Sequence, residues 1–258
     1  MSSMIVRRAW PGWGWGYSPS GDGPFPTIVL LHGSEGAWSG WSYRNAVLFA
    51  ARGFLAIPFG YAKDGNTWNA GNINDIPLDR TADALAGLRD FHLCGTKLGL
   101  YGGSRGAEHA LLLTSLMARD GIAGLPDAVA VHAPPDVICG AFDAKFWRDH
   151  GDPGWQPWDP ARRAWTWRGS SDQLLPSTPI EIERFAGPLF ISHGTKDETW
   201  SVDMTRRLSA RLAQHGRAPV VHLYEGEGHG FTADAENRHY ELLTEFFMRH
   251  LGPTAASK

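Results

Sequence analysis

The chain has little cysteine: Cys94 and Cys139 are the only two in 258 residues. Two thiols cannot build a disulfide framework. Without C-x-x-C spacing they read as buried small apolar side chains in a reducing compartment. No 18-residue apolar run occurs, which excludes a membrane-spanning helix. The start of the chain has Arg7 and Arg8 but no apolar run of a secretory signal, so a cytoplasmic location is expected. Charge of one sign is scarce too. The formal net charge of −3 supplies no basic face for nucleic acid or an anionic membrane. Neither a dinucleotide fingerprint nor a metal-ligand cluster is found, so no cofactor and no metal are expected.

What is present describes a soluble globular protein, with 43% apolar and 20% charged residues. The length suits one large α/β domain or two small ones, and the chain reads as a single domain over residues 1–258. Strand-length apolar runs alternate with helical patterns. Thr27–Leu31, Phe54–Pro58, Lys97–Tyr101, Asp127–His132, Pro188–Ser192 and Pro219–Tyr224 read as strands. Tyr43–Arg52, Leu78–Phe91, Arg105–Arg119, Val202–Gln214 and Ala233–His250 read as helices. Such alternation predicts a mostly parallel sheet covered on both faces. The Gly/Pro/Trp-rich stretch Trp10–Pro26 is expected to be irregular edge structure. Residues 136–186, rich in Trp, Pro, Gly and Asp, are too long for a structureless loop and predict a cap-like insertion with its own short helices.

The strongest chemical signal is Gly102-Gly-Ser-Arg-Gly106, placed between a predicted strand and a predicted helix. A G-x-S-x-G turn there exposes the serine hydroxyl above the sheet edge, which marks Ser104 as a nucleophile. The context predicts an α/β-hydrolase fold, whose base follows the last strand and whose acid follows the strand before it. His229, in Glu225-Gly-Glu-Gly-His-Gly-Phe231, and Asp197, in His193-Gly-Thr-Lys-Asp-Glu198, occupy those places. His109, His132 and His193 compete for the base, and Asp136 for the acid. The backbone N–H groups of Ser34 and Arg105 are expected to form the oxyanion hole, the first in the loop His32-Gly-Ser-Glu-Gly36. Glu35 reads either as a solvated loop charge or as a substrate-orienting group, neutralised by Arg105 or another base. Trp38 and Trp200, beside the oxyanion and acid loops, are the better pocket candidates, while most other tryptophans should hold the insertion to the body.

Together these residues resemble the catalytic domain of the acyl-CoA thioester hydrolases and bile acid-CoA:amino acid N-acyltransferases, beside the dienelactone hydrolase group. The matching stretches are Gly33-Ser-Glu-Gly-Ala-Trp38, Leu48-Phe-Ala-Ala-Arg-Gly-Phe54, Ile76-Pro-Leu78 and Leu100-Tyr-Gly-Gly-Ser-Arg-Gly-Ala-Glu108. Ile180-Glu-Ile-Glu183, Asp197-Glu-Thr-Trp-Ser201 and Gly226-Glu-Gly-His229 extend the match. The resemblance implies two-step acyl transfer from a small-molecule ester or thioester through an acyl-enzyme. The eukaryotic members carry an additional N-terminal β-sandwich, which is not expected within these 258 residues. Where the N-acyltransferases use cysteine, this chain has Ser104, which favours hydrolysis. Beyond scattered Arg162, Arg163 and Arg168 there is no clear phosphate cradle for coenzyme A. A lactone, carbohydrate-ester or peptide hydrolase with the same triad is the alternative, and a non-catalytic binding protein of this fold a more distant one.

Overall fold

The computed structural model describes residues 4–36, 40–62, 72–143 and 158–252. The chain opens with strands β1 (Ile5–Trp10), β2 (Gly14–Pro19) and β3 (Phe25–Leu31), then helix α1 (Gly40–Ala51). Next come β4 (Leu55–Phe59), the short β5 (Ile76–Pro77), α2 (Asp79–Arg89), β6 (Cys94–Gly103) and α3 (Arg105–Arg119). After β7 (Ala128–His132) lie three short strands, β8 (Gly140–Ala141), β9 (Asp159–Arg163) and β10 (Trp165–Thr166). The last part is β11 (Leu189–Gly194), α4 (Val202–Gln214), β12 (Val220–Tyr224) and α5 (Ala233–Leu251).

Eight strands form one sheet in the order β1-β2-β4-β3-β6-β7-β11-β12. The six from β4 to β12 are parallel, and β2 meets β4 antiparallel. Parallel strands need covered crossovers, so both faces are buried and the strands are almost continuously apolar. The period of two is still visible in the packing. Ile28 and Leu30 of β3 join Phe49 of α1 and Leu243 and Phe247 of α5 on one face. Val29 and Leu31 join Leu85 of α2, Leu111 of α3 and Leu208 of α4 on the other. Each such side chain contributes about 1.5–3 kcal/mol of burial free energy. Strand order reverses beside β3: the chain goes to β4 on one side and later to β6 on the other. At such a switch point the loops beyond the strand ends diverge and leave a crevice. Here those are the loop after β3 and the turn after β6.

One expectation needs correction. The stretch Trp10–Pro26 is not irregular. It holds the turn and second strand of a hairpin with register Trp10↔Gly14 to Ile5↔Pro19, and the start of β3. Its glycines and prolines mask the period-two pattern, while Trp10 is buried and stacks on Trp13 with ring centroids 5.7 Å apart. In the insertion, the described residues of 136–186 form short strands and the short 3-10 helix Ile182–Arg184, and residues 144–157 lie outside the described ones. Strand β8 pairs with β9, and β10 with β5, so main-chain bonds tie the insertion to itself and to the body.

Candidate active site

Ser104 sits between β6 and α3 with φ 54° and ψ −120°, a backbone conformation L-residues seldom adopt. Its N–H donates to His132 O at 2.9 Å, while its carbonyl accepts from the Ala107 and Glu108 N–H groups. Two glycines make the turn possible. A Cβ on Gly102 would lie 2.1 Å from Gly106 O, and one on Gly106 would lie 2.1 Å from Leu31 O. Helix and sheet therefore approach at backbone distance, and the serine is pushed out at the tip. The Arg105 N–H, first in α3, meets no acceptor among the described residues, and neither does the Ser34 N–H.

The loop bearing Ser34 is fixed by His32. This buried imidazole stacks on Tyr61 with centroids 3.9 Å apart and an interplanar angle of 4°. His32 Nε2 accepts from the Tyr61 N–H at 3.3 Å, so Nδ1 carries the proton and donates to Gly33 O at 2.7 Å. Burial depresses its pKa to about 4, so it is neutral at neutral pH. Glu35 folds back over this loop and accepts from the Gly33 N–H at 3.0 Å. Arg105 cannot be assigned as its neutralising partner, because that guanidinium is fully buried and engaged elsewhere. It donates to Glu108 Oε2 at 2.8 Å and to Gly140 O at 2.7 Å.

At the other side of the sheet end, His229 Nδ1 lies 2.7 Å from Asp197 Oδ2. An ionised carboxylate only accepts, so Nδ1 bears the proton and Nε2 keeps a lone pair. Asp197 Oδ1 accepts from the Thr199 and Trp200 N–H groups, each at 2.8 Å. Its pKa falls well below the usual carboxylate range. Burial opposes ionisation, but hydrogen bonds from His193 and His229, with the Trp200 N–H, outweigh it. Asp136, the alternative acid, makes a two-pronged pair with Arg207 at 2.7 and 2.8 Å.

Two histidines that competed for the base make contacts with Asp197 and the His229 loop. His193 Nε2 donates to Asp197 Oδ2 at 3.0 Å and to Trp200 O at 2.8 Å, while Nδ1 accepts from the Thr205 hydroxyl at 2.8 Å. His132 Nε2 donates to the His229 carbonyl at 3.0 Å, and its Nδ1 accepts from Ser192 Oγ at 3.1 Å. Burial depresses the His132 pKa to about 4. The third competitor, His109, is buried on α3 between Tyr61 and Trp165. The supporting roles of His132 and His193 had one weak sequence signal, their position at strand ends.

Ser104 and His229 line one pocket of about 270 Å³. Its walls include Glu35 and Gly103, Trp41 and Leu48 of α1, Tyr101 of β6, Phe231, and His239 and Tyr240 of α5. No hydrogen bond joins Ser104 to His229 among the described residues; apo catalytic contacts are often loose. Trp200 is buried and lies beside His229, under Trp158 and the Arg105 guanidinium, outside the pocket wall. Trp38 lies outside the described residues, as do Trp147 and Trp155. Trp165 and Trp167 are buried in the core cluster, as expected of anchors. Among the described residues no group of three or more His, Cys, Asp or Glu side chains is arranged to hold a metal ion.

Comparison with known proteins agrees with this architecture. The prolyl oligopeptidase family model matches residues 139–254. Mouse acyl-coenzyme A thioesterase 6 is 26% identical over 222 residues, spanning 83% of this chain and 50% of that protein. The chain thus spans about half the length of the curated relatives it matches. Among solved structures, a puromycin-hydrolysing peptidase from Mycobacterium tuberculosis superposes with a TM-score of 0.69 at 19% identity, covering 98% of this chain and 40% of that one. A putative dienelactone hydrolase from Klebsiella pneumoniae gives 0.67 at 13% identity, covering 96% and 100%. With its strand order, its elbow between β6 and α3 and these likenesses, the chain has the α/β-hydrolase fold.

Proposed function

We propose that the protein is a serine hydrolase that cleaves a carboxylic ester or thioester, with Ser104 as nucleophile, His229 as base and Asp197 as its orienting acid. The observation that carries this reading is the 2.7 Å contact of His229 with a buried, ionised Asp197, in a pocket that also presents Ser104 at its strained turn. His229 takes the Ser104 proton as Oγ attacks the carbonyl carbon. The tetrahedral oxyanion is held by the Ser34 and Arg105 N–H groups, the second on the positive end of α3. His229 then protonates the leaving group, and water repeats the sequence on the acyl-enzyme. Residues 136–186 act as a cap in this reading, a role supported by Trp158 against Trp200 beside His229. The two buried free cysteines favour a reducing, cytoplasmic setting.

A fluorophosphonate should label Ser104 in the wild-type protein and leave Ser104→Ala unlabelled. The same substitution should lower kcat by about 10⁶-fold. Folded wild-type protein that resists labelling would sink the assignment. Peptide hydrolysis is the second reading, favoured by the family match over residues 139–254, which contain both the acid and the base. Assaying p-nitrophenyl esters, acyl-coenzyme A thioesters and aminoacyl arylamides side by side separates the two, since turnover of arylamides alone would leave only the peptidase.

A further inference from the structure

We propose that the pocket beside Ser104 holds the acyl part of the substrate, an uncharged aromatic or medium-chain group, and that the Arg44–Glu236 ion pair sets its length limit. The inference rests on the serine hydrolase reading above. The pocket runs between α1 and α5. On α1, Trp41, Arg44, Asn45 and Leu48 share one stripe at helical spacing and all line it. Across from them stand Glu236 and Tyr240 of α5. Trp41 closes the inner end against Tyr101, with ring centroids 5.2 Å apart. A cavity of about 270 Å³ has room for about nine water-sized groups, each about the bulk of a methylene, at roughly 30 Å³ each. That is the size of an octanoyl or phenylpropanoyl group.

Charge decides which acyl groups fit. Among the described wall residues the one guanidinium, that of Arg44, is paired with Glu236, so the wall offers no cation to an acyl chain ending in a carboxylate. Arg44 is in any case committed: both its terminal nitrogens meet the Glu236 carboxylate, Nη1 at 2.7 Å from Oε2. This fork joins the two helices on the solvent side of the pocket, where Arg44 and Glu236 are part-exposed. A group that departs in the first step needs an open path. A pocket bridged in this way suits the group that stays attached to Ser104 through the acyl-enzyme. Removing the bridge opens the wall to chains that the wild-type protein must refuse.

The test is kcat/KM over p-nitrophenyl esters from acetyl to hexadecanoyl, with phenylpropanoyl and a carboxylate-ended chain included. Wild-type protein should peak near eight carbons, accept phenylpropanoyl and discriminate against the carboxylate. In Arg44→Ala and Glu236→Ala, the dodecanoyl-to-butanoyl ratio should rise by about tenfold, the worth of two further buried methylenes. The exchanged pair Arg44→Glu with Glu236→Arg should restore the wild-type ratio, which separates the bridge from damage to either helix. A flat wild-type profile, an unchanged ratio in the single variants, or a response that follows the alcohol instead of the acyl chain overturns the proposal. Fluorophosphonate labelling of the same samples distinguishes the two failures. Labelled protein with a flat profile keeps the hydrolase reading and loses this one, and unlabelled protein loses both.

Discussion

Asp197 shows how a single side chain is tuned by its surroundings. Four hydrogen bonds converge on its two oxygens, from His193, His229 and the Thr199 and Trp200 N–H groups. They keep it ionised in spite of burial. Asp197→Asn should therefore lower the thermal midpoint, since its amide turns an N–H2 towards donors that the carboxylate now satisfies, and cost about 10⁴-fold in kcat, because an amide can hold His229 in the wrong tautomer. Steady-state kinetics beside a melting curve would test both halves, and a variant with near-wild-type kcat would remove Asp197 from the mechanism. Ser104, Asp197 and His229 were legible in the sequence because each sits in a glycine-marked loop at a strand end. His132 was not, since its contacts form only when β7, β11 and the His229 loop come together, and His193 was not, since its contacts with Asp197, Trp200 and Thr205 depend on the fold of the loop after β11. For Glu35 the structure removes one of the two partners left open: the Arg105 guanidinium is buried and bound to Glu108 and Gly140.

At the scale of elements, the elbow and α3 form one unit with the insertion. Glu108 receives the Arg105 guanidinium, the Cys139 N–H and the Trp165 indole N–H, the last two at 2.7 Å. Burial raises the Glu108 pKa and Arg105 opposes the rise. Glu108→Ala strands a fully buried guanidinium and should cost about 3–5 kcal/mol, read as a shift in the urea midpoint. A loss within error of zero would show that the cluster relaxes. Gly106→Ala should be at least as harmful, since its Cβ would meet Leu31 O at 2.1 Å and neither backbone can withdraw. Expression as aggregated or unfolded protein is expected. The hairpin β1–β2 marks the opposite case, an element the sequence hid. Its apolar residues pack against one another and the sheet edge in a pattern broken by Gly12, Gly14 and Gly16, so no period of two survives over a strand's length.

For the whole molecule, the buried histidines set an acid limit on stability. Burial lowers the pKa of His32 and His132 to about 4 and of His109 to about 3, from 6.5. Between those values the unfolded chain binds protons that the native state refuses, so stability falls as pH drops from about 6.5 towards 4. Asp197 contributes with the sign of a carboxylate: its stabilisation is complete above the unfolded value of 3.8 and is lost as pH falls towards its depressed native value. Scanning fluorimetry from pH 8 to pH 4 should show the melting temperature declining below about pH 6.5, and a constant value down to pH 4 would refute the account. The sequence by itself determined the order of the six parallel strands and the five helices, the covering of the sheet on both faces and the loops that carry Ser104, Asp197 and His229. Period, turn chemistry and chain order are local properties, readable without a partner. Only the tertiary structure decided that His229 as well as His193 reaches Asp197, that Asp136 belongs to Arg207, that Trp200 lies beside His229 and outside the described wall of the pocket at Ser104, and that α1 and α5 enclose a pocket beneath an ion pair. The pairs His229–Asp197, Asp136–Arg207 and Arg44–Glu236 are contacts between residues far apart in the chain, with separations of 32, 71 and 192, and no local pattern encodes them.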